Sequence, residues 1–196
     1  NLMPEATQRY GKAYKAAASP DIAFNARLNR AISSGDQRLM SDLQKMLRDA
    51  KNATFKDQIY YAMALMELNK GNKELAKSHL TSSAFYSNNN KRQRAQSYEK
   101  LGDISFADKN YVYAQKYYDS SSRFITEDYP NGEQIKSKAS KLADLVKAIE
   151  TAQFEDSVQR IAALSEKDRE DFLKETLKQI KREEQRRKEL EAAKLL

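Results

Sequence analysis

Two stretches of equal length in the middle of this chain decide its fold. Residues 57–84 have the sequence DQIYYAMALMELNKGNKELAKSHLTSSA, and residues 95–122 have the sequence AQSYEKLGDISFADKNYVYAQKYYDSSS. Seven positions correspond: Tyr60, Met63, Ala64, Gly71, Ala76, Leu80 and Ser83 in the first, and Tyr98, Leu101, Gly102, Lys109, Ala114, Tyr118 and Ser121 in the second. The gaps between successive positions are 3, 1, 7, 5, 4 and 3 in both stretches. Identical gaps indicate an internal repeat rather than two unrelated helical segments.

Large and small residues are placed in the repeat as packed helical hairpins require. Large residues three apart share one helix face, and the small pairs Ala64/Gly102 and Ala76/Ala114 lie where two helices approach closely. This pattern resembles a tetratricopeptide repeat, which is a pair of antiparallel helices in about 34 residues. The resemblance implies a tetratricopeptide-repeat superhelix of helical hairpins, whose surface binds other proteins and rarely performs chemistry.

Composition also favours an all-α fold. The 196 residues include only five Gly and three Pro, and 32% of them are charged. Few helix breakers favour helices throughout, and no segment alternates as a β-strand does. The chain has no Cys, which excludes disulfides and thiolate zinc sites, and no run of 18 apolar residues that would span a membrane.

The net charge of +7 is concentrated in the repeats. Residues 9–51 carry nine Lys or Arg against four Asp or Glu, and residues 70–123 carry ten against five. Residues 125–164 carry five against seven. An acidic partner or a nucleic acid would complement this charge, so a nucleic-acid-binding helical repeat is the alternative function. A solvated basic surface without a ligand explains the same charge, because no arginine–aromatic motif accompanies it.

We predict one array of helices followed by a separate charged helix. The first helix covers 3–18, hairpins follow at about 20–50, 57–85, 95–125 and 133–164, and a long charged helix covers 165–196. The tetratricopeptide-repeat array therefore covers 1–164. The hairpin 20–50 is a degenerate repeat, because its turn at 34–36 precedes the turn at Gly71 by 36 residues.

The last predicted hairpin, 133–164, differs from the others. Two apolar stripes predict two helices: Ile135, Ala139, Leu142, Leu145, Val146 and Ile149 in the first, and Phe154, Val158, Ile161 and Ala162 in the second. After it, Ser165 and Asp168 resemble a capping box at the start of the charged helix. Beyond Lys181 this helix has almost no apolar face, so an exposed single helix and a coiled-coil segment both stay open.

Four stretches resemble one protein family. They are KMLRD at 45–49 with DQIYYA at 57–62, YVYAQKYYDS at 111–120, EDSVQRIA at 155–162, and FNAR at 24–27. Together they are similar to SprE/PorW, the large tetratricopeptide-repeat lipoproteins of Bacteroidota. The resemblance extends over most of the chain, and 155–162 is its most specific part because it lies outside the generic repeat.

What the resemblance implies is a part in the type IX secretion system and, in some species, in gliding motility. Family members are anchored by a lipid to the outer membrane, face the periplasm, and link ring and motor components to the translocon. We expect this chain to be an internal fragment without the lipid-bearing cysteine, with envelope components of the secretion system as partners. The family has no established catalytic residues, so the resemblance implies no enzyme activity, small-molecule substrate or cofactor.

The first helices of a tetratricopeptide array line a concave groove. Counted from Asp57 and Ala95, the groove positions are Gln58, Tyr61, Leu65, Leu68 and Asn69, then Gln96, Glu99, Asp103, Phe106 and Ala107. Apolar anchors among polar groups are typical of a groove that binds a peptide or a helix. The alternative is that Leu65, Leu68 and Phe106 pack against the last hairpin or the N-terminal helix.

No other residues in the sequence indicate catalysis or metal binding. His79 is the only histidine, and one imidazole without Cys does not make a zinc site. The hydroxyls of residues 120–122 have no neighbouring base in the sequence. The many tyrosines of the repeats are interpreted as packing between helices, although a tyrosine also suits an interface.

Overall fold

The computed structural model describes residues 2–34 and 36–193, and the chain is all-α over these residues. The α-helices are α1 Leu2–Lys15, α2 Pro20–Ser34, α3 Gln37–Arg48, α4 Lys56–Asn69, α5 Lys73–Tyr86, α6 Lys91–Ala107, α7 Tyr111–Ser122, α8 Gly132–Ala162 and α9 Glu166–Ala193, with a 3₁₀ helix at Ala50–Phe55. The predicted all-α character is confirmed. Three parts of the predicted elements lie outside the described residues: Asn1, Gly35 of the predicted turn, and 194–196 of the last helix.

Helices α4 to α7 form two successive hairpins at the two repeated stretches. Helix α4 packs along α5, α6 packs along α7, and α5 packs against α6. Each hairpin turn contains one residue with positive φ, which is Gly71 at 83° in the first and Lys109 at 58° in the second. The side chain of Asn110 then caps α7 by accepting a hydrogen bond from Tyr113 N at 3.4 Å.

Two apolar cores hold these hairpins together. One consists of Ala64, Leu80, Leu101 and Ile104, which come from α4, α5 and α6. The other consists of Ala95, Ala114, Tyr118, Tyr129, Ile135, Ala139 and Leu142, and it brings the start of α8 onto α6 and α7. The start of α8 therefore belongs to the same packed unit as the hairpins.

Buried polar side chains connect α4, α5 and α6. The Ser83 hydroxyl donates to the carbonyl of Asp57 at 2.7 Å and lies 2.8 Å from the Ser97 hydroxyl. Asn90 Nδ2 donates to the Asp57 carboxylate at 3.0 Å. Burial raises the pKa of Asp57, and the hydrogen bonds that the carboxylate accepts from Gln58 and Asn90 oppose that rise. These hydrogen bonds fix the position of the first turn of α4 relative to α5 and to the start of α6.

The N-terminal helices are arranged differently from the predicted hairpin 20–50. Helix α2 packs along α1 and against α4, and it makes only a small backbone contact with α3. Helix α3 instead contributes Met40, Leu43 and Met46 to a core shared with α2 and α4. Helix α2 therefore pairs lengthwise with α1 rather than with α3, and α3 shares its core with both α2 and α4.

The prediction of two helices in 133–164 is wrong, because α8 is one unbroken helix from Gly132 to Ala162. The interval between its two apolar stripes, 150–153, contains Glu, Thr, Ala and Gln and no helix breaker. The second stripe is exposed, with Phe154 at 69% and Val158 at 47%. The shift in the spacing of apolar residues between the two stripes therefore marks where α8 stops packing against other helices, and the helix itself continues.

Backbone contacts divide the chain into the units Asn1–Val146 and Lys147–Leu196, instead of at the predicted boundary after residue 164. The division falls where α8 ceases to bury side chains, since Val146 is its last buried residue. In the second unit one half of the predicted capping box is present, because the Ser165 hydroxyl accepts from Asp168 N at 3.2 Å; it also donates to the Asp168 carboxylate at 2.7 Å. Helix α9 then exposes its apolar residues Phe172, Leu173, Leu177 and Ile180.

Candidate functional site

Helices α4 and α6 carry the predicted groove residues, and the structure brings three of them close together. Tyr61 of α4 lies near Glu99 and Asp103 of α6, whose negative charges act on its hydroxyl. Burial and these two carboxylates raise the pKa of Tyr61 to about 12. The phenol is therefore a neutral hydrogen-bond donor at physiological pH. Tyr61 and Leu68 also pack against the core of α4, α5 and α6.

The two carboxylates of α6 have partners within the chain. Glu99 accepts a hydrogen bond of 2.6 Å from the Tyr129 hydroxyl, and Asp103 accepts one of 2.9 Å from the Tyr118 hydroxyl. Lys138 of α8 lies 3.7 Å from the Asp103 carboxylate and 5.1 Å from the centre of the Tyr118 ring. Burial first, and then these carboxylates, raise the pKa of Tyr118 and of Tyr129. The α6 half of the groove is thus engaged by α7, α8 and the segment that joins them.

Tyr129 reaches Glu99 because the segment between α7 and α8 folds back tightly. Tyr129 N donates to the Thr126 carbonyl at 3.0 Å, and Gly132 N donates to the Tyr129 carbonyl at 3.2 Å. Asn131 adopts a positive φ of 59°, which asparagine tolerates better than most residues. The sequence marked 129–132 only as a helix break, and nothing in it indicated that Tyr129 bonds a groove residue 30 positions earlier.

The remaining groove positions have different environments. Asn69 is exposed and its Nδ2 donates to the Ile32 carbonyl of α2 at 3.1 Å. Phe106 is 48% exposed and its ring contacts that of Tyr111 edge-on at 5.6 Å, so it lies beside α7. Half-buried positions are Gln58 and Leu65 on α4 and Gln96 on α6, and Ala107 at the end of α6 is exposed. Leu68 and Phe106 therefore pack on the hairpins themselves, which differs from the alternative of packing on a terminal helix.

The α4 half is the more apolar part of the groove. Tyr61 and Leu65 on α4 occupy the repeat positions that hold Glu99 and Asp103 on α6. The arrangement offers a half-buried apolar surface with a phenol donor at one end and glutamine amides alongside. Apolar contacts with a few hydrogen bonds are the usual means by which one protein surface binds another chain.

The other candidate residues, His79 and the three serines at 120–122, make contacts within the chain. His79 is half-buried, burial lowers its pKa, and its ring lies 6.1 Å from that of Tyr60. The hydroxyls of Ser120, Ser121 and Ser122 each donate to a backbone carbonyl, at 2.8, 2.9 and 2.7 Å. Across 2–34 and 36–193, no group of three or more His, Cys, Asp or Glu side chains is placed to hold a metal ion.

Comparison with models of known protein families and with curated proteins gives no match for this chain. Among the helices that the structure describes, none combines the length and the apolar character needed to cross a bilayer.

Proposed function

We propose that this chain is a tetratricopeptide-type repeat scaffold that binds a protein partner in the groove lined by α4 and α6. The observation that carries the proposal is the equivalence of the two hairpins at a spacing of 38 residues, as from Tyr60 to Tyr98. Stacked hairpins of this kind present an extended surface on their first helices, and that surface is where such repeats bind partners.

Equivalent hydrogen bonds support the repeat. Ser83 donates to the Asp57 carbonyl at 2.7 Å in the first hairpin, and Ser121 donates to the Ala95 carbonyl at 2.9 Å in the second. Both hairpin turns also close in the same way. Backbone bonds run from Asn72 N to the Glu67 carbonyl at 2.9 Å and from Asn110 N to the Ser105 carbonyl at 2.8 Å.

The partner segment that best fits the groove is apolar with a few hydrogen-bonding groups. Tyr61 and Leu65 supply apolar area, and Gln58 and Gln96 supply amides that donate and accept. The carboxylates of Glu99 and Asp103 are engaged within the chain, so they do not select a basic partner. An extended strand or the apolar face of an amphipathic helix has this chemistry.

The resemblance to SprE/PorW supports a more specific proposal about place and partners. In that proposal the chain is a non-enzymatic component of a type IX secretion system on the periplasmic face of the outer membrane. It links translocon parts to ring and motor parts, and a lipid anchor on another part of the protein attaches it to the membrane.

The test is a pull-down from a Bacteroidota envelope extract with the tagged chain. The variant Gln58→Arg/Gln96→Arg places two charges in the groove, and Gln153→Arg/Gln159→Arg places the same charges on an exposed part of α8. We expect secretion components with the native chain and the α8 variant, and loss of them with the groove variant. Recovery of no secretion component from the native chain refutes the assignment to this system. Equal recovery with both variants refutes the groove as the binding site.

A further inference from the structure

A second repeated feature of the hairpins consists of aromatic rings with a cation beside them. Four pairs of residues recur at the 38-residue spacing: Lys56 and Arg94, Tyr60 and Tyr98, His79 and Tyr117, and Tyr86 and Phe124. We call these eight residues, together with Phe85, Tyr113 and Lys116 beside them, the aromatic ladder. None of its members is one of the predicted groove residues.

In the first hairpin two rings stack and a cation lies over one of them. The Tyr60 and Tyr86 rings lie 5.5 Å apart and are nearly parallel, with 9° between their planes. Lys56 Nζ lies 5.3 Å from the centre of the Tyr86 ring. Phe85 contacts Tyr86 edge-on at 5.2 Å and is 70% exposed. The stack thus ends in a large apolar side chain that faces solvent.

The second hairpin repeats the arrangement. The Tyr98 ring lies 6.2 Å from that of Phe124, and the Arg94 guanidinium lies 4.9 Å from the centre of the Phe124 ring. The outermost ring is that of Tyr113, which is 54% exposed, and Lys116 lies 5.7 Å from its centre. A cation is therefore placed on a ring in both hairpins.

Arg94 connects the two halves of the ladder. Its Nε donates to the Ala84 carbonyl at 3.1 Å, and its Nη2 donates to the Asn88 side chain at 3.0 Å. Ala84 is adjacent in sequence to Phe85, so the cation on the second stack is anchored beside the exposed end of the first. Arg94 thus joins the two stacks across the boundary between α5 and α6.

More cations than carboxylates of these hairpins lack an ion pair. Of the seven carboxylates within 56–123, five form an ion pair, and Asp57 and Glu99 form hydrogen bonds instead. Five cations of the same segment form no ion pair with the residues that the structure describes: Lys56, Lys91, Arg94, Lys109 and Lys116. Three of the five belong to the ladder. The apolar surface of the ladder thus lies beside three cations that form no ion pair with the residues that the structure describes.

We propose that the aromatic ladder is a docking surface for an acidic protein segment that also carries aromatic or aliphatic side chains. The apolar side chains of the partner cover Phe85 and Tyr113, and its carboxylates pair with the cations beside them. A hydrophobic centre with complementary charge at its edge is the usual composition of a specific protein interface. Nucleobases fit less well, because stacking on a base needs a free ring face. Lys56, Arg94 and Lys116 lie over ring faces of the ladder.

The test measures binding of the full chain to a fluorescein-labelled peptide of repeated Glu-Leu-Glu-Tyr by fluorescence anisotropy. The variant Phe85→Ala/Lys116→Gln removes one exposed ring and one cation from the ladder. The control Phe154→Ala/Lys147→Gln removes the same groups from α8, and it is matched because Phe85 is 70% exposed and Phe154 is 69% exposed. We expect the control to bind like the native chain and the ladder variant to bind roughly tenfold more weakly. A second ladder variant, Lys56→Gln/Tyr113→Ala, is expected to weaken binding similarly.

Several outcomes would overturn the proposal. They are no binding of the peptide by the native chain, equal binding by ladder and control variants, and equal binding of a peptide with Lys in place of Glu. Tighter binding of duplex DNA through the same residues assigns the ladder to nucleic acid. If the native chain self-associates and the ladder variants do not, the ladder is a contact between two copies of this chain. The groove variant Gln58→Arg/Gln96→Arg is expected to bind the peptide normally, so failure of the ladder and failure of the groove are distinguishable.

Discussion

Gly102 provides a direct test of how the two hairpins are packed. A Cβ at this position would lie 2.8 Å from two carbon atoms of the Tyr118 ring. The ring has little room to move, because Tyr118 is 1% exposed and its hydroxyl donates to Asp103. In the first hairpin the corresponding residues are Ala64 and Leu80, so a smaller side chain faces a Cβ that is already present. Gly102 is therefore required by Tyr118 and not by the backbone.

The expected effect of Gly102→Ala follows from two opposing contributions. Alanine in place of glycine stabilises a helix interior by about 0.5–1 kcal/mol. Overpacking costs about 1–3 kcal/mol, and displacement of the ring would also weaken its hydrogen bond to a carboxylate, which is worth about 1.5–3 kcal/mol. We expect a net loss of about 1–2 kcal/mol in the free energy of unfolding. The corresponding drop in Tm is about 2–4 °C for each kcal/mol.

The assay is urea unfolding of the full chain followed by far-ultraviolet circular dichroism. The double variant Gly102→Ala/Tyr118→Leu reproduces the pair of the first hairpin, and we expect it to be more stable than the sum of its single variants predicts. If Gly102→Ala raises stability, as an ordinary helix substitution does, the proposed contact between Gly102 and Tyr118 is refuted. Strict additivity of the two changes contradicts it as well.

Four further substitutions test other parts of the hairpins. Lys109→Gly relieves a φ of 58° and is expected to raise stability by about 0.5–1 kcal/mol in urea, whereas Gly71→Lys lowers it. A gain in stability for Gly71→Lys would contradict this reasoning. Ser121→Ala removes a buried hydrogen bond to the Ala95 carbonyl and should cost about 1–3 kcal/mol, and an unchanged Tm excludes that role. Burial raises the pKa of Asp57 above 3.8, so the folded state retains a proton that the unfolded chain releases. Stability should then fall as pH rises from 3.8 through the folded pKa, and Asp57→Asn should abolish that fall in urea titrations at successive pH values.

Local periodicity predicted the parts of the fold that depend on neighbouring residues. Helices α4 to α7 lie where the hairpins 57–85 and 95–125 were predicted, because size and spacing within each stretch determine which faces pack. Continuity of α8 was not predictable in the same way. An apolar stripe indicates which face of a helix is buried. The stripe moves to another face after Ile149, although the backbone continues as a helix.

Contacts between distant residues were beyond the sequence pattern. The bond from Tyr129 to Glu99 depends on how the segment before α8 turns back, and no repeat position marks it. The place of α3 likewise depends on a core that α2 and α4 complete together, which the spacing of its turn from Gly71 did not indicate. The sequence predicted which positions of α4 and α6 would line a groove, whereas the hydrogen bonds that Glu99 and Asp103 accept needed the tertiary structure.

The difference between the two halves of the groove follows from one group of corresponding residues. Ala64, Leu65 and Leu80 of the first hairpin correspond to Gly102, Asp103 and Tyr118 of the second. In the second hairpin the Tyr118 ring fits because Gly102 has no Cβ, and the Tyr118 hydroxyl then donates to Asp103. In the first hairpin Leu80 has no hydroxyl to donate, and Leu65 has no polar group that would accept a hydrogen bond. The same repeat therefore makes a polar half that is engaged within the chain and an apolar half on α4, where we place the partner.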